Sequence, residues 1–419
     1  FKGFFIMEEI KAVKGVNDIL PQESSLWQKV EQTARDVFAK YGYKEIRTPI
    51  FEATGLFQRG IGTHTDIVQK EMYSFEDQKG RNISLRPEGT ASVVRAYLEH
   101  GLHSKGALQK LYYLGPMFRY EKPQAGRSRQ FHQIGIEAIG SASAVIDAET
   151  IILLKNLFLE FGIDDITIKL NSSGCSCCRE EYQKNLKHSL KNKIQDMCHD
   201  CQTRYEKNIM RVLDCKHEKC QTQLQELPDI RDAICDDCST HFDEVLGYLD
   251  KFGVKYIIEP RLVRGLDYYN RTVFEVTSKH LGSQDAVAAG GRYDYLIKSM
   301  GGPETPAIGF ALGMERLVSI LIKKGIEESK RQGIYFAPLG QNALEKVFSI
   351  AEDLRAKGLS VQFGYDIKSL KAQMRYADKQ NFKYLIIVGD EEVKAGVVQV
   401  KDLDTGEIET SKLNGLYGA

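Results

Sequence analysis

Two apolar runs, residues 111–118 and 133–139, flank the polar stretch 121–129, and this arrangement constrains the fold more than any other feature of the chain. The first run is aromatic-rich and the second alternates in polarity. The stretch between them carries Pro123, Gly126 and several charges. Two strand-length runs this close in sequence pair with each other, so an antiparallel hairpin with a long charged tip is expected.

The surrounding pattern supplies the hairpin's neighbours. Residues 21–41 read as an amphipathic helix, with Leu26, Val30, Ala34, Val37, Phe38 and Tyr41 on one face. Pro21 and Glu23 suit its first turn, and Gly42 ends it. A strand at 44–48 follows, stopped by Pro49. Helix returns at 144–161 and strand at 166–170. Composition then shifts: residues 175–242 are rich in Lys, Glu and Gln, have short apolar runs, and read as an inserted, mainly helical module. Strand patterns resume from Tyr256 through 272–277 and 286–289. They run into Gly290-Gly291, a pair that by itself signals a tight turn. Residues 307–323 read as a Gly-containing strand passing into a helix. Beyond a charged linker at 323–331, strands at 334–337, 360–363 and 384–388 alternate with helices at 343–357 and 370–380, the pattern of an α/β sheet with helical crossovers. The 419 residues therefore suggest two or three domains.

Lys and Arg balance Asp and Glu at 57 each, so the chain is no general polyanion binder, and any nucleic-acid site must be a local patch. The apolar start, residues 1–7, is too short for a secretory signal, and no segment approaches the roughly 20 apolar residues of a membrane helix. The expectation is a cytoplasmic protein, with Met7 a candidate natural start.

Three segments invite a chemical reading. Phe118-Arg119-Tyr120-Glu121 ends an apolar strand, where an Arg can present a fixed fork to phosphate and a carboxylate two residues on shares its sheet face. In 309–317, Gly309 and Gly313 allow close approach of a ligand to the strand, and Arg316 can stack on a purine. Lys44-Glu45-Ile46-Arg47-Thr48-Pro49 follows the long helix. Singly, each is equally a surface strand with a salt bridge or a helix with a stray Arg.

Taken in chain order, 44–49, 118–121 and 309–317, the three resemble the signature motifs of class II aminoacyl-tRNA synthetases. Leu85-Arg86-Pro87-Glu88-Gly89-Thr90, Leu262-Val263-Arg264-Gly265-Leu266-Asp267-Tyr268-Tyr269 and Gly290-Gly291-Arg292-Tyr293-Asp294 resemble the histidine-specific signatures of the histidyl-tRNA synthetases, in their bacterial form. The likeness runs from about Lys14 to the C-terminus. It implies an α/β fold: an α+β catalytic domain built on an antiparallel sheet flanked by helices, a helical cysteine-rich insertion and a C-terminal α/β anticodon-binding domain. The implied divisions are a core at 7–170 and 257–326, an insertion at 171–256 and a C-terminal domain at 331–419.

The resemblance also implies roles. Arg119 clamps the α-phosphate of ATP with Arg264, the residue on which activation turns. Glu121 contacts adenine, which sits between Phe131 and Arg316, while Arg127 and Arg316 reach the outer phosphates, joined by Mg2+. Glu88, Thr90 and Gln133 hold the α-ammonium group of histidine. Glu137 and Tyr269 face the two imidazole nitrogens, with Tyr268 and Tyr293 nearby. Asp267 reads as a supporting partner. Gln124 and Arg129 on the hairpin tip face the tRNA acceptor end. The helix at 21–41 and its strand resemble a dimer-forming element, implying a homodimer. The C-terminal unit implies tRNA(His) as partner, and there Lys368, Lys371, Arg375 and Lys379 recur at three- and four-residue steps. A basic stripe can track an RNA backbone, or be a solvated helix face.

All nine cysteines lie between 175 and 238. Cys175/Cys178, Cys198/Cys201, Cys215/Cys220 and Cys235/Cys238 form four pairs, with Cys177 spare and His188, His199 and His217 as further candidates. Two close-spaced pairs complete a zinc tetrahedron, so eight thiols fit two structural Zn2+ sites; reduced thiols in a helical module are the other reading. Two functional alternatives stand beside the ligase: a catalytically silent, histidine-binding regulatory paralogue of the ATP phosphoribosyltransferase complex, and another class II synthetase. The paralogue is expected to lack ATP-binding residues and the C-terminal unit. The 262–269 stretch opposes the second alternative.

Overall fold

The computed structural model describes residues 10–413 except 64, 105, 122–125, 226, 283–284 and 327–330. Met7 and Gln124 lie outside the described residues. The chain forms two compact units, Phe1–Ile326 and Glu327–Ala419. No described helix is long and apolar enough to cross a membrane.

Among the described residues, the first unit is built on an eight-stranded sheet. Its spatial order is Lys44–Glu45, Gln109–Phe118, Gln130–Ile139, Ala307–Gly313, Ala286–Arg292, Asn270–Ser278, Ile166–Ser172 and Ile257–Ile258. The two short outer strands pair in parallel, and every inner pairing is antiparallel. The hairpin forms with Gln109 opposite Ile139 and Phe118 opposite Gln130.

Strand alternation divides the sheet's two faces. Ile134, Ile136, Ala138, Ile308, Phe310 and Leu312 bury against helices Pro21–Lys40, Ala144–Glu160 and Met314–Lys323. In the first of these helices Leu26, Trp27, Val30, Ala34, Val37 and Phe38 are buried, the spacing of an amphipathic stripe. The odd-numbered residues face the opposite side, where a cavity forms.

Three local expectations change. The strand after the first helix is Lys44–Glu45 only. The backbone of Ile46 still donates to Tyr112, but Thr48 then turns away to accept from the Arg86 guanidinium through its carbonyl and hydroxyl, at 3.0 and 3.1 Å. Gly290 and Gly291 sit inside strand Ala286–Arg292, not in a turn. A Cβ on Gly290 would fall 2.2 Å from the Gly309 carbonyl oxygen and 2.6 Å from the Phe274 ring, so glycine here answers a close approach of neighbouring strands. Arg119 and Glu121 lie beyond the strand, which ends at Phe118, so sheet alternation does not set their directions.

The insertion leaves the sheet after Ile166–Ser172. Helices Ser176–Leu190, His199–Lys207 and Glu218–Leu224 enclose a small core of its own, and helix Asp236–Lys251 returns the chain to the main core through Phe242, Val245 and Leu249. The second unit carries a five-stranded sheet ordered Val361–Phe363, Ile334–Pro338, Tyr384–Val388, Val397–Asp402, Ile408–Lys412, parallel across the first three strands and antiparallel across the last two. Helices Gln341–Ala356 and Leu370–Lys379 supply its crossovers.

A candidate active-site cleft on the large sheet

Phe131, Gln133, Gly135 and Glu137 share one face of their strand, and the neighbouring strand sets Gly313, Ala311 and Gly309 against the last three. Long polar side chains therefore lie over small ones. A Cβ on Gly309 would stand 2.0 Å from Glu137 Oε2. The space left is a cleft of about 1080 Å³, counting the part open to solvent. Glu88, Thr90, Arg119, Glu121, Arg127, Phe131, Gln133, Glu137, Arg264, Tyr268, Tyr269, Tyr293 and Arg316 all line it. Every residue assigned to ATP or to the amino acid from the sequence thus meets in one place.

One end of the cavity is buried and aromatic. Glu137 accepts from Thr90 Oγ1 at 2.7 Å and from Tyr293 Oη at 2.5 Å. Burial pushes its carboxyl up to about 8. Tyr268 stacks near Tyr269 and Tyr293, with ring centroids 4.6 and 5.7 Å away. Burial also pushes Tyr269 up to about 12, against the opposing pull of Arg264. Glu88 accepts from the backbone N–H groups of Thr90 and Ala91 at 2.7 and 2.8 Å, so its carboxylate caps helix Thr90–Glu99. Gln133 Oε1 is buried with no hydrogen-bond partner among the described residues.

The other end gathers cations. Arg119 donates to the Pro87 carbonyl at 2.9 Å, with its guanidinium 5.2 Å from the Phe131 ring centroid. Arg127 pairs with Glu121 at 3.1 Å. Arg316, in the first turn of helix Met314–Lys323, donates to the carbonyls of Gly126, at 3.2 Å, and Ala286. Burial lowers the Arg316 pKa, and the positive charges of Arg127 and Arg119 lower it further. Arg264 pairs with Glu275 at 2.6 Å, and its Nε is buried without a partner among the described residues. Four guanidinium groups on one cavity are an anion site by charge.

A family model described as histidyl-tRNA synthetase matches residues 15–317. The chain belongs to the histidyl-tRNA synthetase family. A second model, described as an anticodon binding domain, matches residues 334–418. The histidine–tRNA ligase of Caldanaerobacter subterraneus is 49% identical over 399 residues, covering 95% of this chain and 96% of the relative. The one from Halothermothrix orenii is 49% identical over 401 residues, covering 95% and 96%. The crystal structure of apo histidyl-tRNA synthetase from S. aureus superposes with a TM-score of 0.80 at 36% identity, covering 97% of this chain and 98% of that one. Every cavity residue named above lies inside the span of the histidyl-tRNA synthetase model.

Sequence reasoning missed several groups at this synthetase-family cleft. Glu275 holds Arg264, and its signal was a lone carboxylate in an apolar strand. Glu315 lines the cavity and accepts from the backbone N–H of His132 at 2.8 Å. Tyr113 fills the space beside two glycines: a Cβ on Gly89 or Gly135 would meet its ring at 2.3 Å. Nothing in the sequence announces that contact. Arg129, assigned to the tRNA, is half-buried and lies 4.0 Å over the Tyr120 ring.

Away from the cleft, the cysteines sort into two groups. Cys175, Cys178, Cys235 and Cys238 form one, and Cys198, Cys201, Cys215 and Cys220 the other; within each group all Sγ atoms lie within 4.8 Å of one another. Every cysteine is free, Cys177 is exposed, and no described histidine joins either group. A tetrahedral zinc ion with Zn–S near 2.3 Å holds its sulfurs about 3.8 Å apart. The Cys175–Cys178, Cys178–Cys238 and Cys198–Cys215 separations are 3.4, 4.0 and 3.7 Å. Backbone N–H groups of Cys235 and Cys198 point at Cys178 and Cys220 sulfur, both at 3.2 Å. The donor sets fit zinc. In the second unit Lys368, Lys371, Arg375 and Lys379 are exposed, while Gln373 and Ala377 turn the other side of helix Leu370–Lys379 inward.

Proposed function

We infer that the chain is a histidine–tRNA ligase, which activates histidine with ATP to histidyl-adenylate and pyrophosphate and then transfers histidine to the 3' end of tRNA(His). One observation carries the reading: a single cavity joins four arginines to a buried cluster of Glu137 and tyrosines. The histidine carboxylate is already a nucleophile, so no catalytic base is needed. It attacks the α-phosphorus, pyrophosphate leaves, and Arg119 with Arg264 stabilises the charge gathering on the phosphoryl oxygens. Glu121 contacts the adenine between Phe131 and Arg316, and Arg127 with Arg316 takes the outer phosphates. Mg2+, when bound, neutralises those phosphates. Glu121 and Glu315 are the carboxylates that would stand beside it, each now partnered by Arg127 or His132.

Gln133, with Glu88 and Thr90, holds the α-ammonium group; the unpaired Gln133 oxygen supports that role. Glu137 and Tyr269 take the two ring nitrogens. A site with buried polar partners for both positions rejects analogues lacking them by a factor on the order of 10⁴. The cysteine groups are read as structural Zn2+ sites. Gln124 and Arg129, with the stripe Lys368, Lys371, Arg375 and Lys379, are read as tRNA contacts, and the cytoplasm as the place of action. A homodimer is proposed through the first helix and its strand. Ile50 and Phe51, exposed a few residues beyond that strand, support it as apolar surface in need of cover.

The regulatory-paralogue reading is disfavoured: the arginines and the C-terminal unit it would lack are both present. The test is ATP–pyrophosphate exchange with each of the twenty amino acids. Exchange with histidine alone is expected; none, or exchange led by another amino acid, overturns the reading.

A further inference from the structure

Residues 262–269 carry Arg264, Tyr268 and Tyr269 into the cleft, yet they belong to no strand or helix. The core holds them through Ile61, Asn171 and Glu275, and the cysteine-rich insertion supplies a second set of contacts. Arg179, the residue after Cys178, donates through Nη1 to the backbone carbonyls of Asp267 and Tyr269, at 3.0 and 2.7 Å. It thereby pins the main chain on both sides of Tyr268. Asn208 Nδ2 donates to Asp267 Oδ1 at 2.9 Å. Arg211 lies against the loop so closely that a Cβ on Gly265 would meet its Nη1 at 3.2 Å. Val263 packs on the insertion's own core.

Each of these contacts adjoins a cysteine group. Cys175 and Cys235 sit at the N-termini of helices Ser176–Leu190 and Asp236–Lys251, with Cys178 and Cys238 one turn in, so the first group ties the insertion's way in to its way out. Arg179 stands on that knot. Asn208 and Arg211 lie on the short stretch between Cys201 and Cys215, which the second group closes on itself. That group also contributes Cys201, Cys215 and Cys220 to the small core on which Val263 rests. Tetrathiolate metal sites fold the segments around them, because their ligands come together only when the ion holds them.

We propose that the insertion is a two-zinc brace for the histidine-binding loop: zinc at the two tetracysteine groups holds Arg179, Asn208 and Arg211 in place, and through them sets the affinity for histidine. The proposal rests on the histidine site and the zinc sites inferred above. It assigns the insertion to the amino-acid step: arginines 119, 127 and 316 lie on other segments, and of the four only Arg264 rides on the braced loop, where it faces the α-phosphate that histidine attacks.

The full-length chain, purified without chelator, is to be assayed for zinc and for histidine binding by calorimetry, with KM for histidine and for ATP taken from pyrophosphate exchange. Two zinc ions per chain are expected, and replacement by Co2+ should give thiolate-to-cobalt absorption in the near ultraviolet. Cys201→Ser with Cys220→Ser should lose one ion. Arg179→Met keeps all eight thiols; it should retain both ions yet weaken histidine binding and raise its KM by roughly tenfold to a hundredfold, with KM for ATP little changed. Absence of zinc overturns the metal centres. Two zinc ions with unchanged histidine affinity in Arg179→Met overturns the brace, as does an equal rise in both KM values, the mark of general damage. Loss of histidine-dependent exchange in the wild-type chain instead refutes the ligase reading.

Discussion

Glu137 is fully buried between two hydroxyl groups, and burial raises its pKa from 4.5 to about 8. Between those values the folded chain holds a proton that the unfolded chain has released. The contribution of Glu137 to the stability of the substrate-free protein therefore falls as pH rises from 4.5 to 8 and levels off above. Glu137→Gln removes this contribution, so thermal midpoints from pH 5 to 8.5 should decline less steeply in the variant; parallel curves would refute the shift. Arg264 acts where charge develops. Arg264→Ala should slow adenylate formation by a factor on the order of 10² to 10³ while histidine binding stays measurable by calorimetry. Unchanged exchange kinetics would remove it from the reaction.

Among the elements, helices Ala144–Glu160 and Asp236–Lys251 are fastened to the sheet by a buried ionic cluster. Asp147 accepts from Thr272 at 2.6 Å and from Arg292, and His241 Nε2 lies 2.9 Å away. Arg292 and Asp147 are both fully buried. Arg292→Leu leaves a buried carboxylate without its cation and should cost about 3–5 kcal/mol of stability by denaturant unfolding; a cost within experimental error would show the cluster to be dispensable. This cluster was invisible in the sequence, because the partners of Asp147 lie 94 to 145 positions away along the chain. The elements themselves were legible wherever period and punctuation agreed, as in the hairpin, the first helix and the strand-to-helix passage at 307–323. Misreadings arose where a side chain or a neighbouring strand decided. Thr48 turned toward Arg86, and Gly290-Gly291, which resembles turn chemistry, served a close strand approach instead. Of the cavity residues, Arg119, Glu121 and Arg316 invited a phosphate and purine reading by type and place, and the rest were legible through resemblance to a family. Their supports, Glu275, Tyr113 and Arg179, were not, because contact with another segment defines each of them.

At the scale of the molecule, the chain forms two compact units, and the proposed tasks divide between them. Lys371→Glu with Arg375→Glu alters exposed positions of the C-terminal unit only. Binding of tRNA should weaken and its salt dependence flatten, with pyrophosphate exchange untouched; unchanged tRNA affinity would make the stripe an ordinary solvated face. On this reading Arg119 and Arg264 hold the α-phosphate beside a pocket that satisfies both nitrogens of an imidazole. A crystal structure of the chain with a non-hydrolysable histidyl-adenylate analogue tests it most directly. The phosphate mimic is expected within hydrogen-bond reach of Arg119 and Arg264, and the ring between Glu137 and Tyr269. An analogue seated elsewhere, or a ring that touches neither of those side chains, would contradict it.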